Sequence, residues 1–291
     1  MFSGSIPALV TPFAAGRVDL ATIRDLVEWQ ISEGSSALVP CGTTGEVATL
    51  DADEHRRVVE EVVKAAAGRV PVIAGCGSYS TAATIKKMRV AKEAGAEAAL
   101  VVVPYYNKPS QTGLAAHFRA AAESSDLPIV VYNVPSRTVA DLSVETLAEI
   151  AQLPTIVGIK DATGNLARVT AQRLACSTDF CQLSGNDDMA LGFNAMGGVG
   201  CISVTANVAP RLCAEFQKAT LDRDWDKALE LQDRLYPLHA ALFSDASPGP
   251  AKYALTRVRS GFPIELRLPL TEPSEASKQA VDSALEHAGL I

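Results

Sequence analysis

Residues 156–160 read Ile-Val-Gly-Ile-Lys, a short apolar run that ends on a lysine. Apolar and polar residues do not alternate in this run, which is typical of a strand buried on both faces, as in a parallel sheet. Other runs of the same character cover 6–10, 37–40, 70–74, 98–103, 129–132, 181–184 and 199–204. The run at 156–160 is therefore one member of a repeated strand pattern.

Segments with the apolar spacing of helices lie between these runs. In segment 51–67, Asp51 can cap the first turn, and Glu54 three places later completes the pattern of a capping box. The other segments of this kind are 20–33, 81–94 and 143–151. Strands that alternate with helices predict βα units and a parallel sheet.

The number of units favours a closed barrel. Eight strand-like runs in one chain fit a (β/α)8 TIM barrel, and the dinucleotide-binding pattern GxGxxG is missing after the first run. After about residue 222, strand-like runs of comparable strength stop, and helical patterns cover 224–243, 250–258 and 274–288. We predict a barrel domain over residues 1–223 and a C-terminal helical extension over residues 224–291.

Composition limits the classes of function. The 291 residues include 26 Lys and Arg and 33 Asp and Glu, without a basic block, so nucleic-acid binding is not expected. The 6 cysteines form no CxxC pair and the 4 histidines are scattered, so neither a metal site nor a cofactor is predicted. Neither a signal peptide nor an apolar run of about 18 residues is found, so we expect a cytoplasmic protein without a membrane partner.

Lys160 is the sharpest candidate for chemistry, because active sites of (β/α)8 barrels lie at the carboxyl ends of the strands. Desolvation between apolar walls would favour the neutral amine, which can attack a carbonyl carbon. The alternative is a structural lysine that pairs with a carboxylate such as Asp161. Considered alone, the residue favours that alternative.

Three further strand ends carry candidate residues. The hydroxyls and main-chain N–H groups of residues 42–46, Gly-Thr-Thr-Gly-Glu, suit a small carboxylate. Tyr132 ends its run and could move protons, and Arg137 in the following loop could hold a carboxylate with two hydrogen bonds. Tyr105 and Tyr106 follow another run, and at most one of them is expected to face the site.

Each candidate also has a plainer interpretation. These are a simple turn at 42–46, an interior ring with a satisfied hydroxyl at Tyr132, a solvated loop arginine at Arg137, and interface packing for the paired tyrosines. Their common location is the stronger argument, because a barrel brings its strand ends together. A lysine, tyrosines, hydroxyls and an arginine suit carbonyl chemistry on an acidic substrate.

These motifs resemble the dihydrodipicolinate synthase family, which belongs with N-acetylneuraminate lyase to the Schiff-base lyase superfamily. The resemblance is carried by residues 4–6, 42–46, 104–107, 132–138, 158–165, 184–187 and 202–207. It implies that Lys160 forms a Schiff base with pyruvate and that Tyr132 donates and accepts protons beside it. Thr43 would connect Tyr132 to Tyr106, and Tyr106 would reach over from a neighbouring subunit.

The resemblance also implies the substrates. Pyruvate would be condensed with L-aspartate 4-semialdehyde in lysine biosynthesis through diaminopimelate. The residues implied to hold them are Thr44, Gly185 and the main chain near Ile202 for pyruvate, and Arg137 for the carboxylate of the semialdehyde. The alternative is an aldolase of the same superfamily that acts on another 2-keto acid, such as sialic acid or a sugar acid, and Arg137 favours the synthase.

Two further expectations follow from the resemblance. The chain would form a homo-oligomer, either a dimer or a tetramer built as a dimer of dimers. At a second site, where lysine inhibits many relatives, His55, Gly77 and Tyr105 match the family pattern. The positions that differ from the polar or charged residues of inhibited relatives are Val47, Ala52, Tyr79 and Ala83. Because a buried ammonium group needs an anionic or carbonyl partner, we expect weak or absent lysine inhibition.

Overall fold

The computed structural model describes residues 2–177 and 179–291. Within these residues the strands are β1 (Gly4–Pro7), β2 (Phe13–Ala14), β3 (Arg17–Val18), β4 (Ile73–Gly75), β5 (Ala98–Val102), β6 (Ile129–Asn133), β7 (Ile156–Asp161), β8 (Cys181–Ser184) and β9 (Gly200–Ser203). The helices are α1 (Leu20–Ser32), α2 (Ala52–Ala66), α3 (Thr81–Glu93), α4 (Gln111–Glu123), α5 (Pro135–Thr138), α6 (Val144–Ile150), α7 (Ala167–Ala175), α8 (Ala190–Ala195), α9 (Pro210–Asp222), α10 (Trp225–Ala241), α11 (Gly249–Val258) and α12 (Glu275–Ala288). Short 3-10 helices cover Val47–Thr49, Asp187–Met189 and Thr205–Asn207.

The large sheet is parallel and curls into a barrel. Its strand order is β1-β9-β8-β7-β6-β5-β4. Residues 37–40 join its two ends, because bridges pair Ala8 with Val39 and Leu38 with Val72. The predicted (β/α)8 barrel is confirmed.

The segment 37–40 departs from the prediction of a regular strand. It contributes isolated bridges only, although Val39 N–H donates to the carbonyl of Pro7 at 3.0 Å. Pro40 has no N–H group to continue the ladder, and Cys41 turns the chain with a left-handed φ of 55°. The strand therefore ends early, just before the loop that carries Thr43 and Thr44.

Side-chain alternation divides the core into two layers. Along β6, Val130 and Tyr132 face the barrel interior, whereas Ile129 and Val131 pack under the helices. Because successive strand residues point to opposite faces, the last residues of each strand decide what reaches the mouth of the barrel.

The helices follow the expected sequence signals. Asp51 Oδ1 accepts the N–H of Glu54 at 2.8 Å, and Glu54 Oε2 accepts the N–H of Asp51 at 3.1 Å, which confirms the predicted capping box. The helices predicted in the C-terminal extension are also confirmed, as α10, α11 and α12. The proposed boundary after Arg223 lies in the turn between α9 and α10, and the division into two domains stays a prediction. Among the described residues, no helix is both long and apolar enough to cross a bilayer.

Candidate active site

A cavity of about 490 Å³ opens at the carboxyl ends of the barrel strands. The sequence-predicted residues that line it are Thr43, Thr44, Tyr132, Arg137, Lys160 and Gly185. A cavity of similar size, about 520 Å³, lies at the amino ends of β7 and β8, and none of the predicted site residues lines it. The candidate site residues are therefore gathered at the end of the barrel where active sites of (β/α)8 barrels lie.

Lys160 is a buried lysine with no carboxylate oxygen within 4 Å of its Nζ among the described residues, although Asp187 and Asp188 line the same cavity. Its side chain is 6% exposed, and its Nζ lies 4.4 Å from the centre of the Tyr132 ring. Parallel pairing of β6 with β7 sets Tyr132 directly beside Lys160. Lys160 forms no salt bridge among the described residues, because the adjacent carboxylate of Asp161 lies beside Arg168.

Asp161 points away from the cavity. Its Oδ2 accepts the amide of Gln172 at 2.7 Å and lies 3.6 Å from Arg168 Nε, and its Oδ1 accepts the N–H of Thr163 at 2.8 Å. Adjacent residues of a strand face opposite sides, and Asp161 lies on the helix side of β7. The alternative interpretation, in which Asp161 neutralises Lys160, is therefore wrong.

Gly185 has no side chain, and the Lys160 side chain occupies the space beside it. A Cβ atom at this position would lie 2.6 Å from Ala162 Cβ and 3.1 Å from Lys160 Cε. Any larger residue would push against the lysine side chain. The glycine thus keeps the amine in its present place at the end of β7.

The loop 42–46 is a compact turn. Thr44 is buried and Thr43 is exposed, and both line the cavity. The N–H of Glu46 donates to the carbonyl of Thr43 at 3.1 Å, and Thr11 Oγ1 donates to the carbonyl of Gly45 at 2.7 Å. Two hydroxyls therefore reach the cavity from a fixed turn.

Arg137 stands on α5 with its side chain exposed at the cavity wall. It forms no salt bridge within the described part of the chain. Thr138 Oγ1 closes the turn below it, with carbonyl oxygens of Val134 and Ala140 at 3.0 and 2.7 Å. The guanidinium is thus available to an acidic ligand.

Two predicted residues do not line the cavity in the single chain. Tyr106 is 90% exposed and has a left-handed φ of 71°. Ile202 lies within β9 with its side chain in the barrel interior, two residues before Val204, which does line the cavity. The predicted role of Ile202 concerns its main chain, which the burial of its side chain does not affect.

Sequence reasoning assigned no role to Asp187, which ties the ends of β8 and β9 together. Its Oδ1 accepts the hydroxyl of Ser203, and its Oδ2 accepts the N–H groups of Val204 and Thr205 at 2.9 and 3.3 Å. Its place in the motif 184–187 was the only signal, since a buried carboxylate cannot be recognised from sequence alone.

His239 is one of 4 histidines scattered along the sequence, yet it lines the cavity from α10. Its Nδ1 lies 2.8 Å from Thr205 Oγ1. Burial lowers the pKa of His239, and the charges of Asp187 and Asp188 oppose this effect. The C-terminal extension therefore forms one wall of the site, through His239, Ala240, Phe243 and Ser247.

Comparison with known proteins agrees with this geometry. The sequence model described as the Dihydrodipicolinate synthetase family matches residues 1–288. The chain belongs to this family. The resemblance expected from the motifs is thereby confirmed.

Relatives match the chain over its whole length. It is 67% identical over 290 residues to the 4-hydroxy-tetrahydrodipicolinate synthase of Rhizorhabdus wittichii, with 100% of both chains covered. The dihydrodipicolinate synthase of Aquifex aeolicus is 42% identical and superposes with a TM-score of 0.97 over 99% of both chains. The chloride-inhibited enzyme of Acinetobacter baumannii, solved in complex with pyruvate, also gives 42% identity and a TM-score of 0.97, with 100% of both chains covered.

Proposed function

We propose that the protein is a 4-hydroxy-tetrahydrodipicolinate synthase, a lyase of lysine biosynthesis through diaminopimelate. The observation that carries the proposal is the buried Lys160 amine, which lies beside Tyr132 and has no carboxylate partner among the described residues. Full-length similarity to enzymes of that name supports the same activity. An aldolase that acts on sialic acid or a sugar acid is not favoured.

The reaction begins with attack of the Lys160 amine on the ketone carbon of pyruvate. Water leaves, an imine forms, and loss of a methyl proton gives an enamine. The enamine carbon attacks the aldehyde of L-aspartate 4-semialdehyde. The amino group of the adduct then attacks the imine carbon, which closes the ring and releases Lys160, so that one water is lost overall.

The surrounding residues divide this work. Tyr132 moves protons at the imine because its ring lies against the lysine, and Thr43 connects it onward to Tyr106. Pyruvate is held by Thr44, Gly185 and the main chain near Ile202. Arg137 pairs with the carboxylate of the semialdehyde, since the guanidinium is exposed to the cavity and has no internal partner within the described residues. No cofactor enters this scheme.

Tyr106 requires a second copy of the chain. The exposed aromatic side chains beside it support an interface: Tyr79 is 55% exposed and packs edge-on against Tyr105 at 5.5 Å, and Asn107 Nδ2 donates to the carbonyl of Tyr79 at 3.1 Å. We infer a homo-oligomer, either a dimer or a tetramer of paired dimers, that acts in the cytoplasm.

Borohydride trapping tests the proposal. Pyruvate with borohydride should add one reduced pyruvate unit to Lys160, which peptide mass spectrometry locates. Addition of L-aspartate 4-semialdehyde should then give turnover in a coupled assay. Cleavage of a sugar acid without this condensation would overturn the choice of substrate.

A further inference from the structure

The loop 42–46 is held in an unusual backbone conformation at both ends. Cys41 has a φ of 55° and Glu46 a φ of 54°, in the left-handed region that residues with a Cβ rarely adopt. Such conformations persist where the surrounding structure fixes them. Thr43 and Thr44 lie between these two points, so whatever fixes Glu46 also fixes the cavity wall.

Glu46 is fixed from the C-terminal extension. Its Oε1 lies 2.5 Å from Lys252 Nζ on α11, and both side chains are 0% exposed. The contact is therefore a fully buried ion pair. Its Oε2 accepts the main-chain N–H of Arg267 at 3.1 Å. Two separate parts of the extension thus hold one carboxylate of the barrel.

The cation is fixed as firmly as the anion. Lys252 Nζ donates to the carbonyl of Glu265 at 2.7 Å and lies 4.3 Å from the centre of the Phe13 ring. Arg267 Cζ lies at the same distance from that ring centre. Burial lowers the pKa of Lys252, and the charges of Glu46 and, more weakly, Glu265 oppose this effect. Among the described residues, only Glu46 places a carboxylate oxygen within 4 Å of Lys252 Nζ.

Displacement of Glu46 would reach the cavity over a short path. The N–H of Glu46 donates to the carbonyl of Thr43 at 3.1 Å, and the N–H of Val47 lies 3.4 Å from the carbonyl of Gly42. These turn bonds couple the position of residue 46 to both threonines.

We propose that Glu46 and Lys252 are positioning residues, through which the C-terminal extension sets Thr43 and Thr44 in the cavity. The proposal rests on the proposed function, in which Thr44 holds pyruvate. The extension is then part of the pyruvate site, although neither Glu46 nor Lys252 lines the cavity.

The decisive variant is Glu46→Gln, which keeps the shape of the side chain and removes its charge. Its matched control is Glu61→Gln. Glu61 on α2 is also a largely buried carboxylate in an ion pair, with its Oε1 2.7 Å from Arg24 Nη2 on α1, so this pair lies within the barrel and apart from the contacts of Glu46 with Lys252 and Arg267. Both variants lose one carboxylate from an ion pair, and only one of them loosens the threonine loop.

Steady-state rates of the condensation are measured against pyruvate concentration for each full-length variant, together with the yield of the borohydride-trapped pyruvate adduct. We expect Glu46→Gln to lower kcat/KM for pyruvate by about tenfold to a hundredfold, mainly through KM, as a misplaced binding group does. Glu61→Gln should lower thermal stability and leave the pyruvate KM unchanged. Equal pyruvate KM values for the two variants would overturn the proposal.

The double variant Glu46→Gln with Lys252→Met keeps the test decisive if the single variant unfolds. It carries no uncompensated buried charge, so its melting temperature should recover toward that of the unaltered chain. Its pyruvate KM should stay raised, because the link to the loop is still weakened. Recovery of both quantities would show that the pair acts through charge compensation alone. If the unaltered chain forms no pyruvate adduct, the proposed function fails instead.

Discussion

Two lysines of this chain are buried to nearly the same degree, and we propose different roles for them. Lys160 is 6% exposed and Lys252 is 0% exposed, and each Nζ lies over an aromatic ring, at 4.4 Å from Tyr132 and 4.3 Å from Phe13. Lys252 has the carboxylate of Glu46 at 2.5 Å, whereas Lys160 forms no salt bridge among the described residues. Burial and aromatic contact therefore do not distinguish the proposed nucleophile Lys160 from the structural Lys252. What distinguishes them is the carboxylate that contacts Lys252.

Loss of the reactive lysine should give the largest effect. We expect Lys160→Ala to lower turnover by at least about 10⁴-fold, as removal of a covalent nucleophile does, and to abolish the borohydride-trapped pyruvate adduct. The coupled assay and intact-protein mass spectrometry measure both. Lys218→Ala, which removes a lysine on α9 whose side chain is 75% exposed, serves as the control and should still form the adduct. An adduct of normal yield in Lys160→Ala would place the Schiff base elsewhere.

Replacement of Lys252 should instead affect stability more than replacement of Lys160 does. Lys252→Met leaves Glu46 buried without its cation, which costs about 3–5 kcal/mol when one partner of a buried pair is removed. Urea denaturation should show this as a lower midpoint. Lys160→Met should change the midpoint much less, because no carboxylate loses its partner there. Equal losses in the two methionine variants would contradict the distinction between the two lysines.

Sequence reasoning reached one of these lysines and not the other, for a physical reason. Lys160 ends an apolar run, and parallel strands bring their ends together, so its neighbours Tyr132, Thr43 and Arg137 could be predicted with it. Lys252 lies inside a predicted helix, where most lysines are solvated. Its partner Glu46 is far away in the chain, and neither helix period nor strand period relates the two.

The barrel itself was predictable for the same reason, and its departures were not. Eight apolar runs predict the strands of the barrel. The early end of segment 37–40, however, depends on Pro40 and on the left-handed turn at Cys41. The network of Asp187 with Ser203 and Thr205 was equally hidden, because it joins two strand ends through side chains whose orientation the sequence does not specify.

Arg137 extends the comparison of the two lysines to a substrate. Its guanidinium has no carboxylate partner among the described residues, and we propose that the substrate supplies one. Arg137→Gln should raise the KM for L-aspartate 4-semialdehyde by about 10- to 100-fold, corresponding to the loss of about 1.5–3 kcal/mol for hydrogen bonds to a charged group. The pyruvate KM and the trapped adduct should stay close to those of the unaltered chain. Steady-state kinetics with each substrate varied in turn separates the two. If only the pyruvate KM were raised, Arg137 would bind pyruvate and not the semialdehyde.

The smallest expected effect concerns inhibition by free lysine, whose side-chain ammonium group would have to be bound at the second site. Free lysine at the second site would need an anionic or carbonyl partner for its ammonium group, yet Ala83 stands where inhibited relatives often carry a polar or charged residue. His55 there is buried, and its Nε2 already lies 2.7 Å from the carbonyl of Gly75. We therefore expect lysine to inhibit weakly or not at all. Ala83→Glu should strengthen inhibition by about fivefold, which corresponds to the roughly 1 kcal/mol of a partly exposed ion pair.

The neighbouring variant Ala82→Glu is the control for that test, because it adds the same charge to α3 at an exposed position. Initial rates at fixed substrate and rising lysine compare the three proteins. Strong inhibition of the unaltered chain at low lysine would show that a buried ammonium can be held here by carbonyl groups alone. In that case the rule drawn from Lys160 and Lys252, that a carboxylate distinguishes a held ammonium from a reactive amine, would apply to side chains and not to ligands.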